Sequence, residues 1–534
     1  MAINVSNLPT SIIKDADNRY ILDSYSKVLD YILCTSDKDT INLSDCIIMP
    51  SSGQIIFDIH ELYNYAKKRG QNLKIGITKK RKDRNQIIIS KRFICNNCII
   101  KKAFFSNSIF EKFVSFTNSE LKDIHFTHSI FSDSLDITKS TITGYLACNS
   151  IHATKVYLHF ITYEGSTLDF SCSKIQSISV LSSTFNYSAE DKKEAAEKPG
   201  LLRTDFNFAL SLLGDVFLSH ISSELFITFL DSHITGRFRG YNCNLEKGLI
   251  LEGCNISGKK SIIHSDNFYE VRKDSILNLE GCKIQSELTI IGVSYDFIYV
   301  QDSTIESSGR LSIFQTATNH IDFERVSIYG ELNINHINPK SSKNAYSVCE
   351  INMECAINLG SINITLENIK LLNYDTAKII RLAAQKLNNS IEVTALKAIE
   401  HKLFLKENKL QWKYTSVADH LLLWLNKISN NFGTNWLTGC LFCVTVSILS
   451  VCLINYSIGE YALCLIPSDW VLFSKDFWIK TLEFLWLPDI ESFKELISYE
   501  GCSPWTIIIY IIGKSLIAYG IFQTVAAFRK YSSK

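Results

Sequence analysis

Proline is scarce in this 534-residue chain, with seven copies, and methionine scarcer, with three. So little proline excludes a Pro-rich linker architecture. The Ile, Ser, Asn and Phe that abound instead favour strands. Charge imbalance is missing too: 55 Lys and Arg face 54 Asp and Glu, for a net charge of +1. That balance argues against a nucleic-acid partner, which needs a basic field. Organised cysteine is also absent. Among 16 cysteines Cys95 and Cys98 form a CxxC in the body, the other CxxC (Cys440 and Cys443) lies far downstream in an apolar run, and no second pair follows at zinc-site spacing. Their expected role is packing, with no metal and no cofactor. Asp15, Asp17 and Arg19 interrupt the only early apolar stretch, so no cleaved secretory leader is expected. The thiols of a body that is not exported stay reduced.

What the chain does have is an internal repeat. The segments NSIFEKFVSF, NSELKDIHF, HSIFSDSLDI, KSTITGYLAC and NSIHATKVYL each start with a small polar residue and Ser, then alternate apolar positions. Ser108, Ser119, Ser129, Ser140 and Ser150 are spaced 11, 10, 11 and 10 apart. The phase returns at Cys172 and Ser183, at Ser222, Ser232, Cys243 and Cys254, and at Cys282 and Ser303. Short alternating runs are strands with one face buried. A small residue at a fixed position suits the inner corner of a coil, and stacked coils bury a column that no single coil could bury. The expected fold class is mainly β, a right-handed β-solenoid of about 21 residues per coil, followed by a helical stalk and two transmembrane helices. A β-sandwich would have no reason to keep this register.

The expected division is a mixed N-terminal cap region over 1–90, the β-solenoid over 91–370, a helical linker over 375–433 and a two-helix region over 434–534. Residues 188–205, charged and carrying Pro199 and Gly200, read as an exposed insertion, and 338–347 as an irregular loop. The cap region holds an expected helix at about 8–33 and a basic cluster of Lys79, Lys80, Arg81, Lys82 and Arg84. The cluster suits a solvated hairpin turn, with contact to anionic lipid or another polyanion as the alternative.

From about 375 the period changes to 3.6, giving two helices that meet near Asn388–Ser390. A third follows Ser416, with Leu421, Trp424, Leu425 and Ile428 on one face, as a bilayer-surface helix would have. Residues 428–459 contain no charged side chain. Spans are expected at about 436–456 and 504–528, with Trp436, Tyr456, Arg529 and Lys530 at the interface. Between them the segment 457–502 holds eight acids and three bases, whereas Lys and Arg gather outside. Positive-inside then places both termini on the cytoplasmic side of an inner membrane, with membrane lipids as partners. Inside that segment, FWIKTLEFLWLPDI is too short and too charged to span, and suits an interfacial or re-entrant stretch. Lys514 sits in mid-span, where an ionisable group is costly and marks a path or a buried pairing. A loop acid such as Glu483 is its candidate pairing partner, and Lys514, Glu483 and Asp489 are the pore or intramembrane candidates.

Arg381 and Leu382 on one helix, Ala395–Glu400 on the next, NNFGTNW before the first span and GKSLIAYGIFQTVAAFRKY at the end carry a resemblance. Over about 370–534 the chain resembles bacterial membrane proteins with a pentapeptide-repeat-like right-handed β-helix and a two-helix, ion-channel-like C-terminus. The solenoid departs from the regular A-[DN]-L-x-x spelling. Where such channels carry a TxGxG-like filter, this chain has KTLEFLWLPDI without a glycine. That departure argues against potassium selectivity by a ring of carbonyls.

The resemblance implies a membrane-anchored sensor or effector whose helices associate as a homo-oligomer into a conductive path, as in a bacterial immunity effector. The solenoid would then bind a cytoplasmic protein partner. The alternative is a tethered binding scaffold without conductance. No enzyme is expected: His125, His128, His152 and His159 have no acids in register beside them.

Overall fold

The computed structural model of the protein describes residues 8–48, 57–71, 75–81, 84–165, 167–186, 205–224, 226–245, 248–258, 260–264, 275–338, 348–387, 390–407, 417–432, 434–458, 475–486, 494, 496–498 and 502–532. The insertion expected at 188–205, apart from Asp205, and the loop at 338–347, apart from residue 338, lie outside these residues. The chain divides into two compact units, Met1–Leu371 and Leu372–Lys534.

The first unit is a parallel β-solenoid of about 13 turns, with about 22 residues per coil. Its described strands form two sheets, of 20 and 22 strands. Pairing in register shows the coil length directly. Val114 lies beside Leu135, Leu135 beside Val156, and Val156 beside Ile178. Alternate residues point inward, so the buried column is continuous from coil to coil. Phe105 stacks on Phe126 at 5.1 Å, Phe110 on Phe131 at 5.1 Å and Phe208 on Phe229 at 4.7 Å between ring centroids. Those distances are close to the spacing of neighbouring strands, about 4.8 Å.

Each corner uses two residues, one in the left-handed region and one buried behind it. Asn107, Asn118, His128 and Lys139 take φ of 57, 49, 58 and 53°, and Ser108, Ser119, Ser129 and Ser140 behind them are buried. Each buried hydroxyl replaces ladder bonds that the corner interrupts. Ser129 Oγ accepts from Ser108 N at 3.2 Å and donates to Phe105 O at 2.8 Å. Ser173, Ser183, Ser211, Ser232 and Ser303 accept from the preceding coil in the same way. The spacing of repeat residues therefore tracks the corner but mixes its two positions. Ser150 and Cys172 are themselves the left-handed residues, at φ 58 and 57°, and Ile151 and Ser173 fill the buried positions. Ser222 follows buried Ile221. The cause is an uneven coil length. The step from Ile130 to its partner His152 is one residue longer than the step from Ile109 to Ile130, and the phase moves with it before Ser150.

Parallel pairing already includes Tyr20–Leu22, which lies beside Cys46–Ile48, and Thr40–Asn42, beside Arg92 to Ile94. The early helix is confined to Tyr25–Thr35, with Ser24 capping it by accepting from Lys27 N. It starts late because Asp15 and Arg19 close a turn around Asn18, at φ 63°. The basic cluster falls on a hairpin: Ile75–Arg81 pairs antiparallel with Arg84–Ile89. Lys82 and the side chains of Lys79, Lys80, Arg81 and Arg84 lie outside the described residues.

The second unit is helical. Tyr374–Lys386 and Ser390–Glu407 form the stalk, joined by an ion pair from Arg381 to the buried Glu400. Val417–Asn430 follows. Trp436–Ile458 and Pro504–Phe528 are long and apolar enough to cross a membrane, with 23 and 25 residues. A helix of the first one's length is about 35 Å long, against a hydrocarbon core of about 30 Å. The second helix continues to Ser532. The short helix Lys475–Leu485 lies between the two in sequence and packs beside them.

Candidate functional site

The two long helices run antiparallel along a seam of small residues. A Cβ on Gly439 would strike Thr524 Oγ1, one on Gly513 would strike Ser450 Oγ, and one on Gly520 would strike Cys443 Sγ. Ser457 and Thr506 share a hydrogen bond of 2.8 Å at the far end of the seam. Asn435 caps the first helix, accepting from Leu437 N at 3.0 Å. Ser503 caps the second, accepting from Thr506 N at 3.3 Å. The outer surface is apolar: Leu437, Leu441, Leu449 and Leu453, and across the seam Ile511, Ile512, Phe522 and Val525, are all exposed. Only 39% and 22% of the residues in their most apolar 18-residue stretches are buried. A soluble core helix has the opposite arrangement, with its large apolar residues inside. Val446, Val451, Ile454, Tyr510 and Ile517 are buried beside the seam, and close contact at small residues with apolar residues left outside is what helices packed in lipid show.

Lys475–Leu485 ends halfway along this pair. Its buried face is Phe477, Thr481 and Phe484. Ser447 Oγ, at the centre of the first long helix, donates to Thr481 O at 2.7 Å. Lys514 reaches the last turn: its Nζ donates to Phe484 O at 3.0 Å and to Trp486 O at 2.7 Å. The same ammonium lies 4.7 Å from the Phe484 ring centroid and 5.5 Å from that of Tyr510. Carbonyls at a helix C-terminus have no partner within the helix and carry partial negative charge. A cation there is stabilised by those carbonyls and by the ring faces. Glu483 is exposed on the same helix, and Asp489 lies outside the described residues. The short helix therefore enters beside the long pair and ends at Lys514.

The expected surface helix Val417–Asn430 turns its polar side to the second long helix. Asn430 Nδ2 donates to Gln523 Oε1 at 2.8 Å, and Tyr519 OH donates to Asn426 Oδ1 at 2.7 Å. Leu421, Leu422, Trp424 and Ile428 remain exposed. Trp436 packs on Phe528, ring centroids 4.9 Å apart, so both aromatics mark one end of the pair. Tyr456, at the other end of its helix, is exposed. Arg529 and Lys530 continue the second helix, and their side chains lie outside the described residues.

The described residues of the solenoid bring no comparable site together. Among the described residues no group of three or more His, Cys, Asp or Glu could hold a metal ion. His125 stacks on Phe104 at 4.3 Å in one sheet. His152 and His159 lie in the other, at opposite ends of one strand, and His128 occupies a left-handed corner. Burial holds His125 and His159 below the ordinary imidazole pKa. Cys95 and Cys98 are buried with Cys46, and Cys46 Sγ lies 3.8 Å from Cys98 Sγ. Cys46 and Cys98 both donate to Leu43 O, at 2.9 and 2.6 Å. Burial pushes the Cys46 and Cys95 thiols up, away from the reactive thiolate. Sequence reasoning singled out Lys514 but not its carbonyl partners or the small-residue seam. The signal for the seam was Gly439, Gly513 and Gly520 set against Thr524, Ser450 and Cys443.

No protein-family model matches this chain, and no curated protein and no solved structure shows significant similarity to it. Fold and site define the class by themselves: a parallel β-solenoid joined in one chain to a helical unit with two helices of membrane-crossing length.

Proposed function

We propose that this protein is a membrane-anchored sensor or effector. Its solenoid binds a cytoplasmic protein partner, and its long helices associate, copy with copy, into an ion-conducting path. The observation that carries this reading is the long helices' close contact at small residues with large apolar residues left exposed on the outside, and a half-length helix ending at their centre beside Lys514. A tethered domain needs one span and no such half-length helix. Two helices cannot enclose a pore alone, so the path requires several copies. The excess of Lys and Arg outside the segment 457–502 supports both termini in the cytoplasm and an inner-membrane location. The layout suits a bacterial immunity effector that depolarises its own membrane, and the pentapeptide-type resemblance points the same way.

The reading is tested by inserting the full chain into liposomes and following ion flux. Flux that appears with verified insertion supports it. Inserted chains in tight vesicles leave the passive scaffold, a reading favoured by the engagement of Lys514 within its own bundle.

A further inference from the structure

The helix Lys475–Leu485 has three sectors. With about 3.6 residues per turn, Phe477, Thr481 and Phe484 fall together and are buried. Trp478, Ile479 and Leu482 form a second sector, exposed and apolar, with Lys475 on it only at the helix's first residue. Lys480 and Glu483 form the third, exposed and charged, beside the buried sector. A soluble amphipathic helix has two sectors, one wet and one dry. Here a dry buried face, a dry exposed face and a charged exposed face coexist on 11 residues.

Depth decides what the charged sector meets. Thr481 O lies against Ser447, the midpoint of Trp436–Ile458. Phe484 lies against Gly513, next to Lys514. If the long helices cross the bilayer, Lys480 and Glu483 sit about 15 Å from either surface. Lipid accepts the Trp478, Ile479 and Leu482 sector and cannot solvate the exposed Glu483 carboxylate. A glutamate carboxylate is too short to reach the headgroups from that depth, and charged side chains inside membranes face a protein interior or water.

We infer that the Lys480 and Glu483 face of this helix lines a water-filled path enclosed by several copies of the chain. The inference rests on the membrane reading above and deepens it by naming the wall of the path. The apolar sector of the same helix faces lipid or a neighbouring copy, and Lys514 keeps the helix at its depth from within. A ring of Glu483 carboxylates at mid-depth, with Lys480 about one turn away, gives the path charges of both signs and no carbonyl filter. Such a path conducts small ions with weak selectivity.

The test is water access. Glu483→Cys and Leu482→Cys chains are inserted into liposomes and exposed to a membrane-impermeant, cationic thiol reagent, with wild-type chain giving the background of native cysteines. Because the thiolate needs water, Glu483→Cys should react at least about tenfold faster than Leu482→Cys. Equal, slow modification of both overturns the inference, even if the vesicles conduct. Fast modification of Glu483→Cys in vesicles that conduct nothing leaves the hydrated face standing and removes the conductive function. Both substitutions lie on exposed positions, so folding is retained. Circular dichroism and resistance to alkaline extraction check that point.

Discussion

Lys514 Nζ lies 2.7 Å from the main-chain oxygen of Trp486, 28 residues earlier in the chain. With its 3.0 Å bond to Phe484 O, this contact ties the end of the short helix to the middle of the second long helix. Replacing Lys514 by Met keeps the stem and removes the donor. Two carbonyls at an apolar depth then lose their partner, at a cost of about 1–3 kcal/mol. We expect faster hydrogen exchange over 477–486 in detergent, with the long helices still formed. Unchanged exchange would show that the lysine does not hold the short helix.

The seam between the long helices sets their distance. Gly513→Val places a branched side chain against Ser450 and Phe484, so the helices must part or the short helix must leave. With Ser457→Cys and Thr506→Cys added at the far end, where the native hydroxyls are 2.8 Å apart, oxidative cross-linking reads the separation. We expect efficient cross-linking with Gly513 and a marked loss with Val. Equal yields would mean that the seam has slack to absorb the side chain.

Two serines of the repeat should behave oppositely. Ser129 is buried and bonded to Ser108 N and Phe105 O. Ser129→Ala leaves both unpaired in the core and should cost about 1–3 kcal/mol. Ser150 sits in the left-handed region at φ 58°, so Ser150→Gly should be neutral or stabilising, by up to about 1 kcal/mol. Denaturant unfolding of the full chain, followed on the solenoid by circular dichroism, ranks the two. A larger loss at Ser150 would contradict the corner geometry.

Acid should loosen the stalk. His401 packs edge-on against Phe432, ring centroids 5.2 Å apart, and its Nδ1 is buried without a hydrogen-bond partner. Burial first, then Lys397, holds its pKa below the ordinary 6.5, with Arg381 adding to the shift and Glu400 opposing it. The unfolded chain therefore binds this proton more readily than the folded one. The stability contributed here is complete above pH 6.5 and declines as the pH falls below it. We expect exchange over 395–405, corrected for intrinsic rate, to rise between about pH 7.5 and about pH 5.5. His401→Phe, which keeps a ring against Phe432, should show a smaller rise. The same rise in both chains would assign the effect to another group.

The sequence by itself determined the solenoid and the helical unit. A period-2 pattern punctuated at half-coil intervals by Ser or Cys leaves stacked coils as the arrangement that buries Phe105, Phe126 and their neighbours continuously. Long apolar runs between polar caps fix the two long helices in the same local way. Tertiary structure decided what spacing cannot carry. It assigned Ser129 to the inside of a corner and Ser150 to its left-handed position, because one added residue per coil moves the phase without altering the composition. It brought Thr40–Asn42 beside Arg92, across an intervening stretch that shows no repeat. It also gave Lys514 its carbonyl partners. A main-chain oxygen has no letter in the sequence, and only the packing of three helices sets how deep the short one reaches.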